Sequence, residues 1–256
     1  MYHIGSCLHT GHAYVEMLIK SLHSRHMMER GITVDIGTLR PFLPEDLKPL
    51  DQIVKADEPN QNWFPGIKMD YFWRTTNMTF PQELYLRNGK NLKKMASDPL
   101  FKKKFSYTGR MMMAGQQKDL NLIQWFIDRM KTSIARCPFY WIPCFNTDLA
   151  YREAKTGKYL RQRGAGMGGF CIAGLHMYPL KDRTMDVTVM IRNWGARRWF
   201  ANLNGITLLL MALQRELPKW DFSNGFKVMA AQGQVDWKPA IIIKLIETGR
   251  ETLLVE

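Results

Sequence analysis

The stretch from Phe170 to Leu217 constrains the fold more than any other. FCIAGLHMYPL and MDVTVMIRN are apolar runs rich in β-branched and aromatic residues. They predict two strands joined by a turn at Lys181-Asp182-Arg183. Ile206 to Leu217 follows and is apolar nearly all round, which predicts a buried helix. A chain that must pack such a helix against strands needs a layered core.

The remaining segments fill in around that unit. Residues 12–30 predict a helix, with Tyr14, Val15, Leu18 and Leu22 on one face and Gly31 as its stop. Ile32 to Leu39 predicts a strand. Pro41, Pro44, Pro59 and Pro65 then punctuate a stretch expected to be rich in loops. Residues 119–131 predict a helix capped by Asp119, with Leu120, Ile123, Phe126, Ile127 and Met130 sharing a face. The aromatic run CPFYWIPCF predicts a buried strand, and its Cys137 and Cys144 read as core. Phe226 to Ala231 predicts another strand and Ala240 to Thr248 a terminal helix. With no repeat, low-complexity tract or linker, residues 1–256 are expected to form a single domain. The order predicts an α+β fold: a mixed, mostly antiparallel sheet flanked by helices in two-layer packing.

Composition narrows the function. The net charge is +13, from 36 Lys and Arg against 23 Asp and Glu, which favours anionic partners such as nucleotides or nucleic acid. The four cysteines form no CxxC pair and no zinc-like spacing with His, so a reducing, cytoplasmic setting is expected. The N-terminus lacks a continuous apolar segment, so no signal peptide is expected. No run approaches the length of a membrane span, and no membrane partner is expected. There is no Walker sequence, and the Gly-rich loop GAGMGG at 164–169, although it matches GxGxxG, leads into a predicted strand instead of running from a strand into a helix, which removes the usual grounds for a dinucleotide or P-loop site.

The residues with chemistry lie between 164 and 205. A Gly-rich loop, GAGMGGF, delivers Cys171 to the start of a strand. Arg192 follows 21 residues later, and Asn202 and Asn204 lie just before the apolar helix. This Cys–Arg–Asn order and spacing, with the helix GITLLLMALQREL after it, resembles thymidylate synthase and the dUMP and dCMP hydroxymethylases. SYTGR at 106–110, the helix DLNLIQWFIDRM, Ile134-Ala135-Arg136 before a strand, and GQVDWK at 233–238 extend the likeness over roughly residues 105–240.

The resemblance implies a thymidylate synthase-like fold and a transferase of one-carbon units to C5 of a pyrimidine nucleoside monophosphate. Cys171 would be the nucleophile, with Arg192 on the 5′-phosphate. Arg136 would reach the phosphate of a neighbouring subunit, which implies a homodimer with shared sites. Arg30, in ERGITVDIG, would be a further phosphate contact. Asn202, or Asn204 if one residue is inserted, would read the base. Asn there favours dUMP, where cytosine-using relatives carry Asp. Asn193 follows the phosphate Arg. Asp236 stands where the family holds the sugar hydroxyl, His176 lies near the site, Tyr107 belongs to the Tyr-Gly segment, and Asp70 is the acid nearest the family's catalytic Glu. The one-carbon donor would be 5,10-methylenetetrahydrofolate.

The chemistry explains the residue set. C5 of uracil or cytosine becomes nucleophilic only after a thiolate adds at C6, and nearby positive charge stabilises that thiolate. Arg geometry suits a phosphate dianion. The chain also departs from the family. Phe170-Cys171-Ile172 replaces Pro-Cys-His, and Asn193-Trp194-Gly195-Ala196 carries no acid. These changes tilt the expected product toward hydroxymethyl, as in specialised or viral nucleotide pathways. Two alternatives stand beside this reading. One is a catalytically inert nucleotide-binding relative. The other is a nucleic-acid-binding protein using Trp194, Arg197, Arg198, Trp199 and Phe200.

Overall fold

A computed structural model describes residues 2–24, 31–57, 70–98, 107–112, 121–132, 140–144 and 172–255. These form a mixed α+β structure around one open six-stranded sheet, in the order β1-β2-β6-β5-β4-β3. The strands are β1 (Tyr2–Cys7), β2 (Ile32–Ile36), β3 (Tyr140–Pro143), β4 (Ile172–Pro179), β5 (Met185–Gly195) and β6 (Phe226–Gln234). Three of the five pairings are antiparallel; β1–β2 and β5–β6 are parallel.

Each parallel pair needs a helical crossover. The helix α1 (Thr10–His23) links β1 to β2, and α8 (Ala196–Glu216) links β5 to β6. Between them come α2 (Pro44–Asp57), α3 (Tyr71–Thr79), α4 (Gln82–Arg87), α5 (Leu92–Ser97), α6 (Tyr107–Met112) and α7 (Leu122–Thr132), and α9 (Pro239–Leu253) ends the described chain.

Alternation along the strands decides which face is covered. Val34, Leu175, Met177, Val187, Val189, Ile191, Val228 and Ala230 are buried. Their neighbours face outward in cross-strand rows. Trp141, His176, Thr188, Lys227 and Asp35 are successive partners in one row, and Gly174, Met190, Met229 and Thr33 in the next. Trp141, Met190 and Met229 are among the exposed large hydrophobics, so among the described residues no element covers this face of the sheet, called the open face below.

The strand–turn–strand–helix unit forms as the sequence predicts, with Arg183 at φ 69° closing the turn. The helix, however, begins at Ala196, ten residues earlier than its apolar core suggested. Trp199, Phe200 and Leu203 extend the buried stripe toward the N-terminus, so Asn202 and Asn204 lie inside α8 and cap nothing. The proline-marked stretch is also corrected, because residues 44–57 are helical. Pro44 sits at its start, where a missing N–H costs nothing, and Leu47, Leu50 and Val54 make a buried face. Asn121 accepts the Gln124 N–H at 2.9 Å at the start of α7; the expected cap, Asp119, lies outside the described residues.

Candidate functional site

The helices α3 and α8 lie side by side in the same direction and build the framework of the site. Near their N-termini the Tyr71 hydroxyl donates to the Arg197 carbonyl at 2.6 Å. Near the other end Asn202 Nδ2 donates to Thr79 Oγ1 at 2.7 Å. Their close approach depends on Gly205, where a Cβ would stand 2.4 Å from Thr79 Cβ and 3.0 Å from the Thr76 carbonyl. The Thr108 hydroxyl donates to the Thr79 carbonyl at 2.6 Å, so α6, with buried Tyr107, joins the same end.

Asn202 is 3% exposed, and its Oδ1 has no hydrogen-bond partner. Leaving a buried acceptor unpaired costs roughly 1–3 kcal/mol. Asn193 Oδ1 and Trp194 Nε1, on β5 just before α8, are also buried and unpaired. Asn204 differs. Its Oδ1 accepts the Phe42 N–H at 3.0 Å and its Nδ2 donates to the Phe42 carbonyl at 2.9 Å. Both ends of that amide hold backbone, so of the two α8 asparagines Asn202 is the one whose acceptor is unpaired.

Arg192 lies on the exposed face of β5, in the plane of the open rows. Ile172, the first described residue of β4, pairs with Ile191, the residue before Arg192. The hairpin therefore brings the start of β4 to Arg192. Cys171, bonded to Ile172, lies outside the described residues, as do Arg136 and Arg30. His176 is half-buried in the open row between Trp141 and Thr188, well down the hairpin from Arg192.

Two carboxylates are placed differently from what the resemblance implies. Asp70 precedes α3 and pairs with Lys55. Asn202 is at the far end of α3, about 13 Å away along the axis at 1.5 Å per residue, so the structure does not bring the two together. Asp236 lies by the Ala196 N–H, and its carboxylate oxygens would be 3.6 and 3.7 Å from a Cβ at Gly195. It also pairs with Arg197 at 3.4 Å, and Arg197 stands over the Trp237 ring. The α8 helix has no acidic residue in its first turn and no side-chain cap. Asp236 supplies that negative charge from the loop after β6. Burial raises its pKa even so, against Arg197 and Arg198.

A related arrangement, with no signal in the sequence, holds α3. Asp70 makes no capping bond, and the Phe72 N–H donates instead to Asp51 of α2 at 2.7 Å. Asp51 is fully buried, its Oδ2 is unpaired, and burial pushes its carboxyl up to about 7. A cleft of about 280 Å³ touches Asp35, Asp186 and Lys227, but it lies at the start of β5. Arg192 is seven residues on, roughly 23 Å at about 3.3 Å per residue.

Among the described residues no group of His, Cys, Asp and Glu could hold a metal ion, and no helix is long and apolar enough to cross a membrane. No protein-family model matches the chain, and no curated protein matches it.

Proposed function

We propose that this chain is a pyrimidine-nucleotide C5 one-carbon transferase of the thymidylate synthase and hydroxymethylase type, with dUMP as the favoured substrate. The observation that carries the reading is Asn202: a buried amide, anchored through Nδ2 on Thr79, with Oδ1 unpaired. In this orientation it accepts, as the N3–H of uracil requires. A ligand N–H there would remove the cost of the orphaned oxygen.

The other parts follow from chain connectivity. Cys171 precedes Ile172 in the chain, and Ile172 pairs with Ile191, the residue before Arg192. Its thiolate would add to C6, forming a C–S bond and moving the ring electron pair to C5 and O4. The guanidinium of Arg192 would bind the phosphate and stabilise the thiolate. C5 would then attack a formaldehyde-level one-carbon electrophile; loss of the C5 proton with departure of the electrophile's leaving group would give an exocyclic methylene, capture of that carbon by water (hydroxymethyl) or by a hydride donor (methyl) would return the electron pair to the ring, and C6 would expel the thiolate. The resemblance assigns that electrophile to 5,10-methylenetetrahydrofolate. The segment Asn193-Trp194-Gly195-Ala196 that follows Arg192 carries no acid of its own, and no step is derived through the folate.

The test is tritium release from C5-labelled dUMP and dCMP, with and without methylenetetrahydrofolate, in wild type and Cys171→Ala. Folate-dependent release from dUMP that Cys171→Ala abolishes is expected, and the product mass separates methyl from hydroxymethyl. No release from either nucleotide, with tight dUMP binding retained, would sink catalysis and leave an inert nucleotide-binding relative.

A further inference from the structure

An asparagine that read the edge of a uracil alone would use both ends of its amide, Oδ1 on N3–H and Nδ2 on a carbonyl beside it. Here Nδ2 is already engaged, donating to Thr79 Oγ1 at 2.7 Å. The second half of the edge therefore falls to Thr79. Thr79 is 1% exposed and Asn202 3%, so bulk water competes for neither side chain.

A hydroxyl carries one proton and two lone pairs. Thr79 Oγ1 accepts from Asn202, and among the described residues nothing accepts its proton. Its neighbours on α3 behave differently. The Thr75 hydroxyl donates to the Tyr71 carbonyl at 2.9 Å and the Thr76 hydroxyl to the Phe72 carbonyl at 2.8 Å, the usual bond to the preceding turn. Thr79, the last residue of α3, turns its hydroxyl to α8 instead. The Thr108 hydroxyl holds its carbonyl at 2.6 Å, and Gly205 packs against its Cβ. One hydrogen bond thus sets a donor, the Thr79 O–H, beside an unpaired acceptor, Asn202 Oδ1.

We propose that Thr79 and Asn202 read an imide edge together, Asn202 Oδ1 accepting the uracil N3–H and the Thr79 hydroxyl donating to a carbonyl oxygen beside it. Thr79 is then a specificity-determining residue, and the assignment rests on the nucleotide reading above. A cytosine ring would set its N3 lone pair against Asn202 Oδ1, leaving two acceptors face to face.

The test measures the Kd of dUMP, 4-thio-dUMP and 2-thio-dUMP by calorimetry, using the full chain as wild type, Thr79→Val and Thr79→Ser. A thiocarbonyl keeps N3–H but accepts hydrogen bonds poorly. One analogue should bind wild type roughly three- to tenfold more weakly than dUMP, and it identifies the carbonyl that Thr79 meets. Thr79→Ser should keep that ratio, whereas in Thr79→Val dUMP should weaken to the level of the analogue. Each ratio is taken within one variant, so a general loss of stability cancels. Thr79→Ala, which relieves the contact at Gly205, gives the same comparison where Val is not tolerated. Equal binding of all three nucleotides to wild type would overturn the role of Thr79. So would a penalty that survives in Thr79→Val and Thr79→Ala, because sulfur would then be excluded by size or the amide turned to accept from Thr79. Absence of dUMP binding to wild type would remove the nucleotide reading and this assignment together.

Discussion

At the residue scale, two buried groups tie stability to pH in opposite directions. Burial raises the Asp51 carboxyl from 3.8 to about 7. Between those values the folded state holds more protons than the unfolded chain, so stability falls as pH rises and the loss is complete above 7. His9 is lowered from 6.5 to about 4, by burial first and then by Arg40 and His12. Between those values the unfolded chain holds more protons, so stability falls as pH drops. The two slopes overlap and oppose each other. Asp51→Asn keeps an acceptor for the Phe72 N–H and removes the charge. In urea unfolding it should gain stability at pH 8, up to on the order of 4 kcal/mol, and should become acid-sensitive below 6.5. His9→Asn should instead keep its stability on acidification. An Asp51→Asn variant with wild-type stability at pH 8 would show that Asp51 is not held up by its surroundings.

The proposed base-reading role of Asn202 gives a separate residue-scale test. Asn202→Asp should shift preference from dUMP toward dCMP, on the order of 100-fold in kcat/KM ratio, because a site built around one hydrogen-bonding edge rejects the other. Asn204→Asp should instead lower stability, since both ends of its amide hold Phe42. Equal preference changes in the two variants would remove Asn202 from its assigned place. The Cys–Arg–Asn spacing pointed to Asn202 first and to Asn204 if one residue is inserted. That the Asn204 amide is occupied at both ends was not visible, because it depends on Phe42, 162 positions away.

At the element scale, the strands and helices with clear periodicity were legible. The hairpin, α7 and β6 form where alternation and helical spacing place them, within about three residues, whereas α1 ends at His23, seven residues before the expected stop, and α9 runs on to Leu253, five residues past its expected end. What sequence hid was hidden for physical reasons. Pro41 and Pro44 masked α2, although a proline at the first helical position, as Pro44 is, is compatible with helix. The start of α8 was read as a site loop because Arg197, Arg198, Asn202 and Asn204 interrupt its apolar run; tertiary contacts bury those Asn side chains. The N-termini of α3 and α8 are served by Asp51 and Asp236 from other elements, and no local motif records such an arrangement. The packing of α3 on α8 gives the element-scale prediction. Gly205→Ala places a methyl 2.4 Å from Thr79 Cβ, so the helices must part. Thermal unfolding should show a loss of about 1–3 kcal/mol, and dUMP affinity should fall with it as Asn202 moves from Thr79. Gly205→Ala combined with Thr79→Ser, which deletes the Thr79 methyl but leaves its Cβ, should recover only part of the loss. Full stability in the single variant would mean that the helices are less closely packed than described.

At the scale of the whole molecule, the open face of the sheet and the placement of Arg192 bear on each other. Trp141, Met190 and Met229 are exposed in adjacent rows, and Arg192 follows Met190 on that face. A second copy laid against it would cover the apolar rows and lie beside the proposed phosphate, where the resemblance puts Arg136 of the other subunit. Met190→Lys with Met229→Lys should therefore yield a monomer in sedimentation while leaving the circular dichroism spectrum unchanged. The stronger test mixes two inactive variants, Cys171→Ala and Arg136→Ala. If each site takes its thiol from one chain and Arg136 from the other, mixed dimers hold one intact site of two, and random reassortment restores about a quarter of wild-type activity. Self-contained sites would restore none, because every site would then keep the defect of its own chain. Recovery that depends on reassortment, and that the double Lys change prevents, would tie the open face to catalysis. Dimerisation without recovery would leave that face as an interface and remove Arg136 from the proposed shared site.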